Sequence, residues 1–279
     1  MRRTEHGHGP FVTWVATAAG GVHQLQTSRR LRKRLAPIAG SAAPFAAEAR
    51  LGHDWLRLWA PERLGWWTAV LFMVGSALFA VGGLRTGWPG FPGLGWIAAA
   101  WVNPVFFAGS IFFTAAAYLQ FYEAINGDIS TAGALRRFVA WRPRNLGYLA
   151  ALVQLVGTVL FNRDTGDALL AGLGWIEQDL WVWKPDIVGC VCFLVASQLA
   201  IMEYAHGWFA FRPGQLAWWI VTINMLGSIL FMVSGVASFV DPSGKLLAPL
   251  PADAGTAAGA LCFLVGAYLL IPEQAETGR

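Results

Sequence analysis

The chain has 279 residues, of which 56% are hydrophobic and only 13% charged, with a mean hydropathy of +0.50. Soluble domains carry about a quarter charged residues, so this composition excludes an ordinary water-soluble globule and points to a bilayer as the solvent. Twenty basic and sixteen acidic residues leave a formal charge of +4, and no nucleic-acid partner is expected from so modest an excess.

Residues 1–54 read as a basic, largely cytoplasmic segment. Its start, MRR followed by FVTWVATAAGG, imitates a signal peptide, but Glu5, His6 and His8 interrupt it and a basic cluster follows, so no cleavage is expected. His6 and His8 sit on an arm expected to lack structure. With no further ligand nearby they do not make a metal site. The cluster Arg29, Arg30, Arg32, Lys33 and Arg34 suits anionic lipid headgroups, at about 1 kcal/mol per charge. It suits equally the enforcement of topology by positive charge.

Six stretches then reach the roughly 20 apolar residues that cross a hydrocarbon core: 66–84, 103–124, 146–162, 187–205, 216–240 and 254–272. Lipid offers the backbone no hydrogen-bond partners, so each must be helical. The expected fold is an all-α polytopic membrane protein of three tandem helix hairpins, at 55–125, 137–206 and 207–279. The fifteen tryptophans agree with this layout, because indoles favour the headgroup level and none lies at the middle of a span. Sixteen of the twenty basic residues fall on the side shared by both termini, the exceptions being Arg85, Arg163, Lys184 and Lys245. That bias predicts an inner-membrane protein with both termini cytoplasmic. Cys190 and Cys192 share one span and Cys262 lies in another, which suits small apolar fillers rather than disulfides.

One heptad recurs in the odd-numbered spans: MVGSALF at 73–79, LVGTVLF at 155–161 and MLGSILF at 225–231. The small pairs Gly75-Ser76, Gly157-Thr158 and Gly227-Ser228 let backbones approach closely, which is how helices associate where lipid removes the hydrophobic drive. Gly255, Gly259 and Gly266 in the sixth span extend the same seam. The even spans repeat as FTAAAYLQFYE, FLVASQLAIME and FLVGAYLLIPE, ending at Glu123, Glu203 and Glu273. Two spans per unit make the units parallel about an axis along the membrane normal. A closed threefold bundle and an open row of hairpins both satisfy this pattern.

Short helix pairs with an aromatic ahead of the first span, Gly-Ser within it and Phe-x-x-[GA]-[AS] in the second resemble the YrhK-type membrane domain, three times over between Trp59 and Glu273. The resemblance implies a multi-pass membrane protein and carries no catalytic role.

The candidate polar residues each have two readings. Glu123, Glu203 and Glu273 share one register, and three carboxylates about an axis can form a cation-attracting ring. The preferred reading is structural, with ion pairs to Arg63, Arg142 or Arg212 beside the spans. Gln154 and Asn224, each three residues before a central glycine, can line a polar path or bond across helices with Gln198; interhelical bonding is preferred because no charge lies at midplane. Asn103 and Asp253 read as helix caps. No HExxH, GxSxG, GxxxxGK[ST] or strand-borne GxGxxG is present, so neither an enzyme nor a cofactor is expected. The sequence therefore predicts a structural, lipid-interacting or partner-binding membrane protein, with a homo-oligomer or membrane partner as its company. Transport of a small solute or ion is the alternative.

Overall fold

The computed structural model describes residues 2–19, 22–33, 38–39, 59–127 and 136–275. Arg34 lies outside the described residues.

Among the described residues six helices are long and apolar enough to cross a membrane, and the chain is a multi-pass, predominantly helical membrane protein. They are α2 (Leu64–Gly87), α3 (Val102–Asn126), α4 (Leu146–Asp167), α6 (Lys184–Ala205), α7 (Leu216–Ala237) and α8 (Pro249–Ala275). Between α4 and α6 lie a single turn, α5 (Trp175–Glu177), and a π-helical stretch, Gln178–Trp183. Each long helix packs on its chain neighbour, and α8 returns to pack on α2. The six therefore form a closed ring, and the open row is ruled out.

Several spans run further than hydropathy predicts. Helix α4 continues past 162 to Asp167, α6 begins at Lys184 and α8 at Pro249. Charges end a hydropathy window, but they do not end a helix whose polar side chains turn inward. Asn103 and Asp253 consequently lie inside helices rather than capping them, and the Asn103 amide donates to the Ala168 carbonyl at 2.8 Å. In the connections after α2 and after α4 the phrase GLGWI occurs twice, and its first glycine takes φ +83° at Gly93 and +78° at Gly172. Left-handed backbone is cheap only for glycine, which explains why that position is repeated.

The ring has small residues and phenylalanines inside and branched aliphatics outside. Val156, Val159, Val191, Val195, Leu226, Ile229, Leu261 and Val265 all face outward, where acyl chains solvate them. Inside, each hairpin is pinned by two glycines facing one another. A Cβ on Gly75 would meet Phe113 at 2.9 Å and the Gly109 carbonyl at 3.0 Å; Gly157 meets Phe193 at 3.0 Å, and Gly189 meets the Gly157 carbonyl at 3.2 Å. Gly227 meets Phe263 at 3.0 Å and the Gly259 carbonyl at 3.1 Å. Gly255 sits against the Leu230 carbonyl and Gly266 against the Asn224 amide. The hydroxyl neighbours of the central glycines have other duties. Ser228 meets Ser197 of α6 at 2.8 Å, a bond between hairpins, while Thr158 donates to its own helix at Leu155 and Ser76 is fully buried.

The expectation of an unstructured arm is overturned. Residues 2–39 hold an antiparallel four-stranded sheet in the order β1 (Arg2–His8), β2 (Phe11–Ala19), β3 (Val22–Thr27), β4 (Ile38–Ala39), with the short helix α1 (Ser28–Arg32) inserted before the last strand. The run that imitates a signal peptide is β2, where Val12, Thr13 and Val15 supply β-branched residues suited to a pleated surface. His6 stacks on Trp14 across the β1–β2 pair, with ring centroids 3.8 Å apart, and His8 lies edge-on to Trp208 at 6.0 Å. Thr27 caps α1 by accepting from the Arg30 N–H at 3.2 Å. The sheet is fastened to the loop before α4, where the Val12 N–H donates to the Arg144 carbonyl at 3.1 Å and the Arg144 guanidinium donates to the Pro10 carbonyl at 3.2 Å. The bundle end that carries this sheet is the near end, the opposite one the far end.

Candidate functional site

At the near end the three glutamates of α3, α6 and α8 converge on the axis, where α1 enters from the sheet. The Arg29 Nε donates to Glu273 Oε1 at 2.8 Å, and the Lys33 ammonium pairs with the other oxygen of the same carboxylate. The Arg32 Nη2 donates to Glu203 Oε2 at 2.8 Å, with Glu123 3.7 Å from the Nη1 of the same guanidinium. Three cations of one short segment thus meet three carboxylates from three different hairpins. These groups are dry: Glu203 is 1% exposed, Glu273 4%, Arg29 5%, Arg32 6% and Lys33 8%.

Among the described residues the ion pairs seen on these glutamates are with Arg29, Arg32 and Lys33, in place of the preferred Arg63, Arg142 and Arg212. Arg63 approaches Glu62 instead, at 4.0 Å, and the cations come from the segment assigned to lipid headgroups. Arg29, Arg32 and Lys33 are buried in protein and cannot reach a bilayer surface; Arg30 is only partly buried. The reason is electrostatic. Three carboxylates held together in a low-dielectric bundle repel one another unless compensated, and α1 supplies the compensation with hydrogen bonds included. Burial drives the Lys33 ammonium well below the usual lysine range, Arg29 and Arg32 push the same way, and Glu123 and Glu203 oppose them. Two glycines make room. A Cβ on Gly127 would lie 2.7 Å from the Arg32 Cα, and one on Gly147 would run into Glu203 Oε1 and lie 2.8 Å from Arg32 Nε.

Beneath this cluster lies a small chamber of about 90 Å³, bordered by Gln154, Asn224, Ser228 and the basic side chains above. Asn224 donates to the Ile220 carbonyl of its own helix at 2.8 Å. Gln198 is not part of this group; it donates to the Trp208 carbonyl at 3.1 Å in an exposed setting.

The chamber ends on phenylalanine. Phe113, Phe193 and Phe263 form a triangle with centroid separations of 5.7–6.4 Å, and Phe79, Phe161 and Phe231 a second one at 5.9–6.4 Å. Within each hairpin the two layers touch, at 5.4, 4.9 and 5.3 Å. The edge-on pairs among them contribute about 0.5–1.5 kcal/mol each beyond area burial. Among the described residues the bundle centre is therefore filled, with no continuous polar path along the axis. Sequence reasoning had the glutamate register but missed both the arm as their partner and this septum, whose members are the Phe that closes each heptad and the Phe that opens each even-span phrase.

Compared with known proteins, the chain matches no family model, no curated protein and no solved structure.

Proposed function

We propose that this is a closed, non-enzymatic membrane anchor built from three related helix pairs, of the kind the YrhK-type domain exemplifies, that holds its N-terminal sheet at the cytoplasmic face for a partner to dock on. The single observation that carries this reading is the charge cluster: Arg29, Arg32 and Lys33 are bound, in dry surroundings, to Glu203, Glu273 and Glu123. Three carboxylates already neutralised by the chain's own cations are not free to attract an ion. They serve to lock a soluble module onto the bundle. The cytoplasmic assignment follows from the excess of Lys and Arg at that end.

A second reading, a small-solute transporter caught closed, draws on the way the septum separates two cavities, the chamber at the near end and a larger one at the far end. Reconstitution into vesicles discriminates the two. The anchor predicts no flux of monovalent cations or small neutral solutes above empty vesicles, for the wild type and for Glu123→Gln, Glu203→Gln and Glu273→Gln combined. Saturable flux in the wild type that the triple variant abolishes would overturn the anchor in favour of transport.

A further inference from the structure

The far end of the bundle contains a cavity of about 470 Å³ that the anchor reading does not use. Its floor is the outer phenylalanine triangle, Phe79, Phe161 and Phe231, and its walls come from α3, α4, α6, α7, α8 and the connections between them. Its volume is that of a small-molecule site rather than of a packing defect, which would hold a water or two.

The lining is charged with one sign. Asp164, Asp186 and Asp253 border the cavity, and among the described residues no Lys, Arg or His does so. Arg163, next in sequence to Asp164, points its guanidinium to Asp167 instead. Asp164 is the informative member. It is 4% exposed, its Oδ1 has no hydrogen-bond partner, and it borders the cavity. An unpartnered carboxylate oxygen removed from water costs free energy that the fold retains here without an internal cation to offset it. Asp186 brings a second carboxylate to the same cavity from the start of α6, where its Oδ1 faces the Cys190 thiol at 3.9 Å. The indole of Trp183 is fixed at the wall by its bond to the Gly235 carbonyl at 2.7 Å.

We propose that this cavity is a binding site for a small organic ammonium ion, its charged head on Asp164 and Asp186 and its hydrocarbon body on the phenylalanine floor. Carboxylates satisfy the charge and the N–H donors, and aromatic faces favour a cation with an apolar body. A bare metal ion fits the lining poorly, since no group of three or more acidic, histidine or cysteine ligands is gathered at metal distance among the described residues. The site is independent of the near-end charge cluster, so either can fail without the other.

The test is calorimetric titration of the full chain in micelles with hexylammonium chloride, with hexanol, sodium and magnesium chloride as separate arms. Saturable one-to-one binding of hexylammonium is expected, with hexanol weaker by about ten- to a hundredfold, the effect of a charge-assisted contact. Asp164→Asn should weaken hexylammonium by a similar factor. Leu246→Trp, which fills the cavity from an apolar lining side chain that bonds no carboxylate, should weaken hexylammonium and hexanol alike and serves if Asp164→Asn does not fold. Equal affinity for hexylammonium and hexanol, binding by magnesium alone, or hexylammonium binding unchanged in both variants would each overturn the proposal.

Discussion

Replacing Glu203 with glutamine removes one charge from the near-end cluster and almost no volume. The Arg32 Nη2 lies 2.8 Å from the Glu203 carboxylate and the Nη1 3.7 Å from Glu123. At an effective dielectric of about 20, those distances correspond to attractions of about 6 and about 4.5 kcal/mol, so Glu203 supplies the larger share. Glutamine keeps one neutral hydrogen bond, and the expected net loss is about 3–5 kcal/mol, the usual cost of stripping one partner from a buried pair. This loss falls on the docking of α1 rather than on the helix ring, whose seams lie elsewhere. Limited trypsin digestion in micelles reads it directly, because Arg29, Arg30, Arg32 and Lys33 are cleavable only when α1 leaves the bundle. Cleavage follows the open population, so Glu203→Gln should accelerate it by about a hundredfold or more. A cycle with Arg32→Gln should return a coupling of about 2 kcal/mol or more. Wild-type cleavage rates with a coupling under about 0.5 kcal/mol would refute the reasoning.

Other perturbations reach other parts of the account. Gly147→Ala places a methyl group where Glu203 and Arg32 meet and should raise trypsin sensitivity like Glu203→Gln while leaving the circular-dichroism melt of the bundle unchanged. Gly227→Leu forces α7 from the Gly259 backbone and Phe263; loss of the folded monomer in detergent is expected, and wild-type resistance to thermal aggregation would contradict the seam. Phe231→Ala opens the septum and should cost about 3–5 kcal/mol by denaturant titration. His206 ends α6 at φ +53°, a left-handed position, so His206→Gly should stabilise by about 1 kcal/mol. Burial, with help from Arg212 and against Glu203, pulls the His206 imidazole down to about 4. The unfolded chain binds this proton near pH 6.5 and the folded one only near 4, so stability falls as the pH drops through that window, by up to about 3 kcal/mol. His206→Asn should flatten the dependence, and an imidazole titrating near 6.5 by NMR would refute it.

The membrane part was legible because its signals are local and repeated. Spans of about 20 apolar residues announce themselves to a hydropathy window, and Gly75, Gly157 and Gly227 stand at one register of a heptad written three times. Their facing partners Gly109 and Gly189 were harder to see, since the even-span phrases begin after them. The charge cluster joins residues 171 and 244 positions apart, and no window holds both. The arm was misread for a physical reason: β2 is short and apolar enough to imitate a targeting segment, and its partners β1 and β3 reveal it only by pairing. Asp164 and Asp186 fall outside the stretches 146–162 and 187–205 because charge ends an apolar window, whereas a helix continues when its charges turn toward the bundle interior.

The docking of the arm is tested most directly by thiol accessibility at Ser28, which is buried at the start of α1, against Thr4, which is exposed on β1. In a chain with Cys190, Cys192 and Cys262 replaced by alanine, Thr4→Cys should react with a hydrophilic maleimide in micelles at the rate of a free thiol. Ser28→Cys should react at least about a hundredfold more slowly, and the Glu203→Gln replacement should release it. Equal labelling of the two positions in the otherwise unaltered chain would contradict a sheet locked to the bundle by the three glutamates.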